Sequence, residues 1–175
     1  MSKLRHFVNF DCLKTYYFAK VYSYLQYAIL AWGGSSQSRL RKTTVLHNNI
    51  VRLMGLKNFP VGIRISNATL FKTFDLLQLN DIYNLELGKF MHKVHHNTLP
   101  NSLNSMFIRI DSVHRYPTSS SRNREFYQHR TNTTAYQKWI SSAGITQWEK
   151  IEPSLKNENY KTFAQKYRKS IIESY

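Results

Sequence analysis

The sequence predicts a mainly α-helical chain: a small helical bundle over residues 11–96, an extended basic connection over 97–135 and a C-terminal helical module over 136–175. Three observations predict it. Apolar residues recur at three- and four-residue spacing along the first part of the chain, and this period disappears between Ile108 and Thr134. It returns in Tyr160, Phe163, Ala164, Tyr167 and Ile171, which form one face of an amphipathic helix with Lys166 and Lys169 on the other.

Taken in order, a first helix is expected over about residues 11–32, with Tyr17, Val21, Tyr24, Leu25, Ala28 and Trp32 on one face and Gly33-Gly34 ending it. A second helix follows the run Ser35-Ser36-Gln37-Ser38, places Leu40, His47, Ile50, Val51 and Met54 together, and stops with Gly55 as the residue just past its end. Lys57 to Ile65, containing Pro60 and Gly62, is expected to be a turn or linker. Asn67 is the expected cap of a short helix carrying Leu70, Phe71 and Phe74. Asn80 is the expected cap of a longer helix carrying Tyr83, Leu87, Phe90, Met91 and Val94. Beyond Asn97–Pro100 only a short strand at Phe107–Ile110 is expected before order resumes near Tyr136.

The 175 residues have room for one ordinary domain or two small ones, which excludes a large multidomain enzyme. A hydrophobic content of 42% with 14% aromatics supports a buried core. Lys and Arg number 25 against ten Asp and Glu, a net charge of +15 that attracts polyanions. The excess is greatest at the start, where residues 1–60 carry nine basic and one acidic side chain, and residues 111–175 carry eleven and six. The single Cys12 excludes a disulfide framework and any Cys-rich zinc site, and its thiol is read as inert.

Neither end of the sequence resembles an address label, because MSKLRHFVNFDC lacks an apolar run and a small-residue cleavage site. Tyr16 to Trp32 is interrupted by Lys20 and Gln26 and falls short of the roughly 20 apolar residues a spanning helix needs. No membrane partner is expected, and the location is expected to be intracellular, with cytoplasm and nucleus both open.

Catalytic chemistry has little to stand on. Two-metal polymerases and nucleases need close carboxylates sharing cations about 3.5–4 Å apart. The sequence has no Asp-Asp pair, and Asp75, Asp81, Glu149 and Glu152 are read as solvated. His92, His95 and His96 have spacing that can chelate a metal, but His92 falls opposite the apolar stripe of its helix, so all three are read as a solvated face with no metal. Neither a Walker loop nor a Rossmann glycine pattern is present among the six glycines, and no cofactor is expected.

The informative pattern is the alternation of cations and rings in Arg115-Tyr116, Arg122, Arg124, Phe126-Tyr127, His129-Arg130 and Lys138-Trp139. Planar cations beside aromatic rings can hold phosphates while stacking unpaired bases. Arg115, Tyr116, Arg122, Arg124, Tyr127, Arg130 and Lys138 are therefore the candidate contacts, with Lys166 and Lys169 added from the basic face of the last helix. The alternative reading is that the rings fill a core and the cations coat a surface.

Several segments, in order, resemble one family. Leu13-Lys14-Thr15-Tyr16-Tyr17, Tyr22-Ser23-Tyr24-Leu25-Gln26-Tyr27 and Trp32-Gly33 are followed by Leu46-His47-Asn48-Asn49-Ile50-Val51-Arg52. Ala68-Thr69-Leu70-Phe71-Lys72, Leu76-Leu77-Gln78-Leu79, Asp81-Ile82-Tyr83, His114-x-Tyr116-x-Thr118 and Gly144 to Trp148 come next. This order resembles the C-terminal part, thumb and beyond, of reverse transcriptases from non-LTR (LINE-type, jockey-like) retrotransposons of animals. The sequence departs from that pattern at Ser23, His47, Ser119 and Ile145.

The resemblance implies a non-catalytic fragment of an RNA-directed DNA polymerase whose catalytic Tyr-x-Asp-Asp turn lies N-terminal to such a segment. It implies RNA or an RNA–DNA hybrid as partner, together with the polymerase palm against which a thumb packs. Starting at Met1, the sequence would be a truncated open reading frame, a gene derived from an element remnant, or a domesticated fragment. Apolar surface on the first helix pair is then expected to be exposed. The competing expectation is a protein-interaction or non-functional fragment.

Overall fold

The computed structural model describes residues 3–56, 65–113, 124–130 and 132–175, and the protein is mainly helical. In chain order the helices are α1 (Phe10–Tyr16), α2 (Ser23–Gln26), α3 (Ile29–Trp32), α4 (Gln37–Gly55), α5 (Asn67–Thr73), α6 (Leu79–His95) and α7 (Asn101–Asn104). They continue with α8 (Ile110–Val113), α9 (Thr134–Gln137), α10 (Ile140–Glu149), α11 (Pro153–Lys156) and α12 (Tyr160–Glu173). Two compact units form: one from Met1–Tyr83 with Arg168–Tyr175, the other from Asn84–Tyr167. Helices α6 and α12 each supply residues to both.

The first unit is built around Tyr17, Val51, Met54, Leu70, Phe71, Phe74 and Leu76, all buried. The face expected for α4 is the one observed, with Leu40, His47, Val51 and Met54 inside. The first helix differs from the continuous helix expected over 11–32. Tyr17–Tyr22 is a π-helical segment, and the helix then breaks at Ala28, whose φ of 49° is left-handed. A π turn inserts one extra residue per turn and so rotates everything after it by about a quarter turn or more relative to the α-helical register. Tyr17 stays buried, but Tyr24 swings out to 77% exposure and Ile29 takes the inward place instead of Ala28. The rings of Tyr17, Phe18 and Tyr22 pack against one another at 5.4–6.4 Å across this turn.

Two caps and one stop also differ from expectation. Ser66, not Asn67, caps α5, its hydroxyl accepting from the Thr69 amide at 3.1 Å, while Asn67 Oδ1 accepts from Arg52 Nε at 2.7 Å. Asn80 lies inside α6, which starts one residue earlier. Gly55 is the last residue of α4, not a left-handed residue beyond it. Its missing side chain serves packing, since a Cβ there would approach Leu70 Cδ2 to 3.0 Å. The left-handed stops belong to Asp75 and Asn97, where paired bonds such as Leu76 N to Phe71 O and Thr98 N to Lys93 O close Schellman turns after α5 and α6.

The tail closes the first unit. Tyr175 donates its hydroxyl to Asp81 Oδ2 at 2.6 Å and accepts the Gln78 amide at 2.9 Å, while Arg168 holds the Asp75 carboxylate at 3.0 Å. Phe7, Tyr24, Tyr27, Val45 and Leu46 are exposed in the first unit.

The second unit packs Leu87, Met91, Val94, Phe107, Phe126, Ile145, Trp148 and Phe163. The strand expected at Phe107–Ile110 is a single antiparallel bridge between Arg109 and Phe126, with Ile110 N donating to Glu125 O and Tyr127 N to Ile108 O. Ile110 to Val113 then turn into α8, so the segment is not wholly extended. The bridge keeps Phe126 at 2% exposure, against Phe107 at 6.1 Å. Of the linker expected over Lys57 to Ile65, residues 57–64 lie outside the described residues. Among the described residues no helix is long and apolar enough to cross a membrane.

Candidate nucleic-acid interface

A surface groove lined by aromatic rings lies wholly in the second unit and holds about 320 Å3. Tyr127, His129, Tyr136 and Trp139 supply its rings, and Met106, Ile108 and Ile145 its aliphatic surface. Among the described residues no acidic side chain lines it.

Local structure explains why these rings meet. The bridge to Arg109 aligns the stretch that follows Phe126, and Tyr127 and His129 contact edge to face at 4.9 Å. Thr133 caps α9 by accepting the Tyr136 amide, and Trp139 is the cap residue just before α10, its carbonyl accepting from Ser142 and Ala143 amides. Tyr136 and Trp139 are three residues apart across that junction, the spacing that brings side chains to one side. Their rings are parallel to within 1° at 6.2 Å, and they are 42% and 61% exposed. Aromatic pairs of this size ordinarily bury their faces.

Of the residues named from the sequence, Tyr127 lines the groove, and Arg130 and Lys138 are exposed chain neighbours of the lining residues His129 and Trp139. Arg124 instead pairs with Glu149 at 3.4 Å. Lys166 pairs with Glu158, and Lys169 with Glu173 at 3.7 Å, so both carry a neutralising partner. Arg115, Tyr116 and Arg122 lie outside the described residues. Tyr136, Gln128 and Ser142 were not singled out in the sequence. The i,i+3 spacing of Tyr136 and Trp139 was the available sign for the first.

Of the histidines expected to be solvated, His96 is exposed and His95 half-buried, whereas His92 is buried. His92 is 3% exposed, stacks on Phe163 at 4.4 Å and donates from Nε2 to the Glu158 carbonyl at 2.9 Å. The helical wheel put it opposite one stripe, but in this unit α12 and the turn before it cover that side of α6. Burial pushes the His92 ring toward its neutral form. His96 donates to the Lys156 carbonyl at 3.1 Å, and His95 Nδ1 meets Glu125 Oε1. Each histidine thus has a ring nitrogen engaged with a different partner. Among the described residues no group of three His, Cys, Asp or Glu is placed to hold a metal.

No family model matches the sequence, no curated protein matches it, and no solved structure matches its fold.

Proposed function

We propose that this chain is a non-catalytic nucleic-acid-binding fragment of a mobile-element reverse transcriptase, and that it takes single-stranded RNA on the groove of its second unit. The observation that carries the reading is the exposed parallel pair Tyr136 and Trp139, set in a groove without acidic lining and followed or preceded by cations. Rings of this kind stack unpaired bases, each worth about 1–3 kcal/mol, and Arg130 and Lys138 hold phosphates. A paired hybrid keeps its bases stacked internally, so the ring surface favours a single strand over RNA–DNA hybrid. The order of the tyrosine-rich, Trp-Gly and later helical segments supports the family origin. The charge of +15 supports a polyanion as partner.

The test is a binding titration with single-stranded RNA over a range of salt. Tyr136→Ala with Trp139→Ala should weaken binding at every salt concentration and leave the salt slope unchanged. Arg130→Gln with Lys138→Gln should lower the slope by about 0.7 for each phosphate no longer neutralised. Parental affinity in the aromatic double variant, still folded by circular dichroism, overturns the reading.

A second reading, protein docking, is favoured by Phe7, Tyr24 and Tyr27 exposed on the first unit, which a polymerase palm would cover.

A further inference from the structure

Resting on the single-strand reading of this groove, we infer that it also discriminates among bases, taking one with an exocyclic amine, cytosine or adenine, over uracil. The discriminating group is the carbonyl of Gln128. Gln128 lines the groove, and its Nε2 donates to Ser142 Oγ at 3.1 Å and to Thr146 Oγ1 at 3.2 Å. A glutamine amide can ordinarily turn over and present either end. Here it is locked. Thr146 Oγ1 gives its one hydrogen to the Ser142 carbonyl at 3.1 Å, so toward Gln128 it can only accept. Turning the amide over would set two acceptors, Gln128 Oε1 and Thr146 Oγ1, against each other.

Ser142 and Thr146 are four residues apart on α10, and Ser142 is buried, so a regular helix holds the lock. Both Nε2 hydrogens are engaged, and among the described residues Oε1 has no partner. What Gln128 can offer a ligand is therefore an acceptor.

The Ser105 hydroxyl gives its hydrogen to the Ser102 carbonyl at 3.1 Å and is left an acceptor too, while the Ser141 hydroxyl rotates between donor and acceptor and the His129 ring can take either tautomer. A fixed acceptor suits the projecting amine of cytosine or adenine. Uracil offers only its N3–H, recessed between two carbonyl oxygens that the acceptor repels.

The experiment compares oligocytidylate with oligouridylate of equal length at one salt concentration, since the two pyrimidines stack on similar area. The parent chain should bind oligocytidylate about threefold or more tightly, the worth of a single hydrogen bond. Gln128→Ala should bring the ratio to about one, and so should the near-isosteric Thr146→Val, which frees the amide to turn over. Trp139→Ala should weaken both oligomers and keep the ratio. Equal binding by the parent, with affinity still dependent on Trp139, overturns the discrimination and leaves the groove reading standing. A preference that persists in folded Gln128→Ala also overturns it. If neither oligomer binds, both readings fall.

Discussion

The Tyr17 hydroxyl lies 2.7 Å from His47 Nε2, inside the first unit, with the two rings stacked within 13° of parallel. Phe71 closes the edge of the imidazole at 5.2 Å, and His47 Nδ1 is buried without a partner among the described residues. Burial pushes His47 down to about 4 and Tyr17 well above the ordinary tyrosine range. The pair is thus held neutral at physiological pH.

Because the unfolded chain binds a proton near pH 6.5 and the folded one only near 4, unfolding takes up a proton between these values. The stabilisation is complete above pH 6.5, falls as pH drops, and is gone below about 4, a change on the order of 3 kcal/mol. A two-dimensional NMR titration should show the His47 imidazole keeping its neutral form until the pH falls to about 4. Urea midpoints for His47→Gln should depend less on pH over this window than those of the parent. An imidazole titrating near 6.5 contradicts the burial.

Glu125 ties three elements of the second unit, Oε2 accepting from Trp148 Nε1 at 2.7 Å while Oε1 meets His95. Glu125→Ala leaves the buried indole N–H without its acceptor and should cost about 1–3 kcal/mol in chemical denaturation. Glu125→Gln retains an acceptor and should lose less. Equal losses for both would mean that the carboxylate acts through charge alone.

Two helical glycines should respond unequally to alanine. A Cβ at Gly88 would stand 2.5 Å from Tyr167 Cε1, in a ring stacked on Phe163 and held by Gln147 through its hydroxyl at 2.6 Å. That ring has nowhere to go, so Gly88→Ala should destabilise by about 1–3 kcal/mol. At Gly144 the nearest atom is Met91 Sδ at 2.8 Å, in a flexible side chain. Gly144→Ala should change stability by less than about 1 kcal/mol, because the gain in helix propensity offsets the shift. Thermal melts of the two variants give the comparison.

Ala28 sits at φ 49°, where a Cβ costs about 1–2 kcal/mol. Ala28→Gly removes that cost and adds some unfolded-state entropy, so the melting temperature should rise modestly. A fall would show that the Ala28 methyl makes compensating contacts.

The cations of the last helix should matter less to RNA than those beside the groove. Lys166 and Lys169 face Glu158 and Glu173, so Lys166→Gln with Lys169→Gln should change the salt slope less than Arg130→Gln with Lys138→Gln. The reverse order would move the interface to α12.

Helical character, the buried face of α4 and the strong positive charge are all legible in the sequence, because each depends on near neighbours. Leu40, His47, Val51 and Met54 share a face in any α-helix, and charge is additive. Tyr127, Arg130 and Lys138 were legible as rings beside cations, yet nothing local separates them from Arg124, which a distant glutamate engages. The tertiary structure decided the rest. The π turn at Tyr17–Tyr22 rotated Tyr24 outward, and elements 66–71 positions away along the chain buried His92. The lock on Gln128 needed Ser142 and Thr146, 14 and 18 residues further on. Such features follow from contacts between segments far apart in sequence, whose packing and hydrogen-bond energies outweigh the local preferences that periodicity reports.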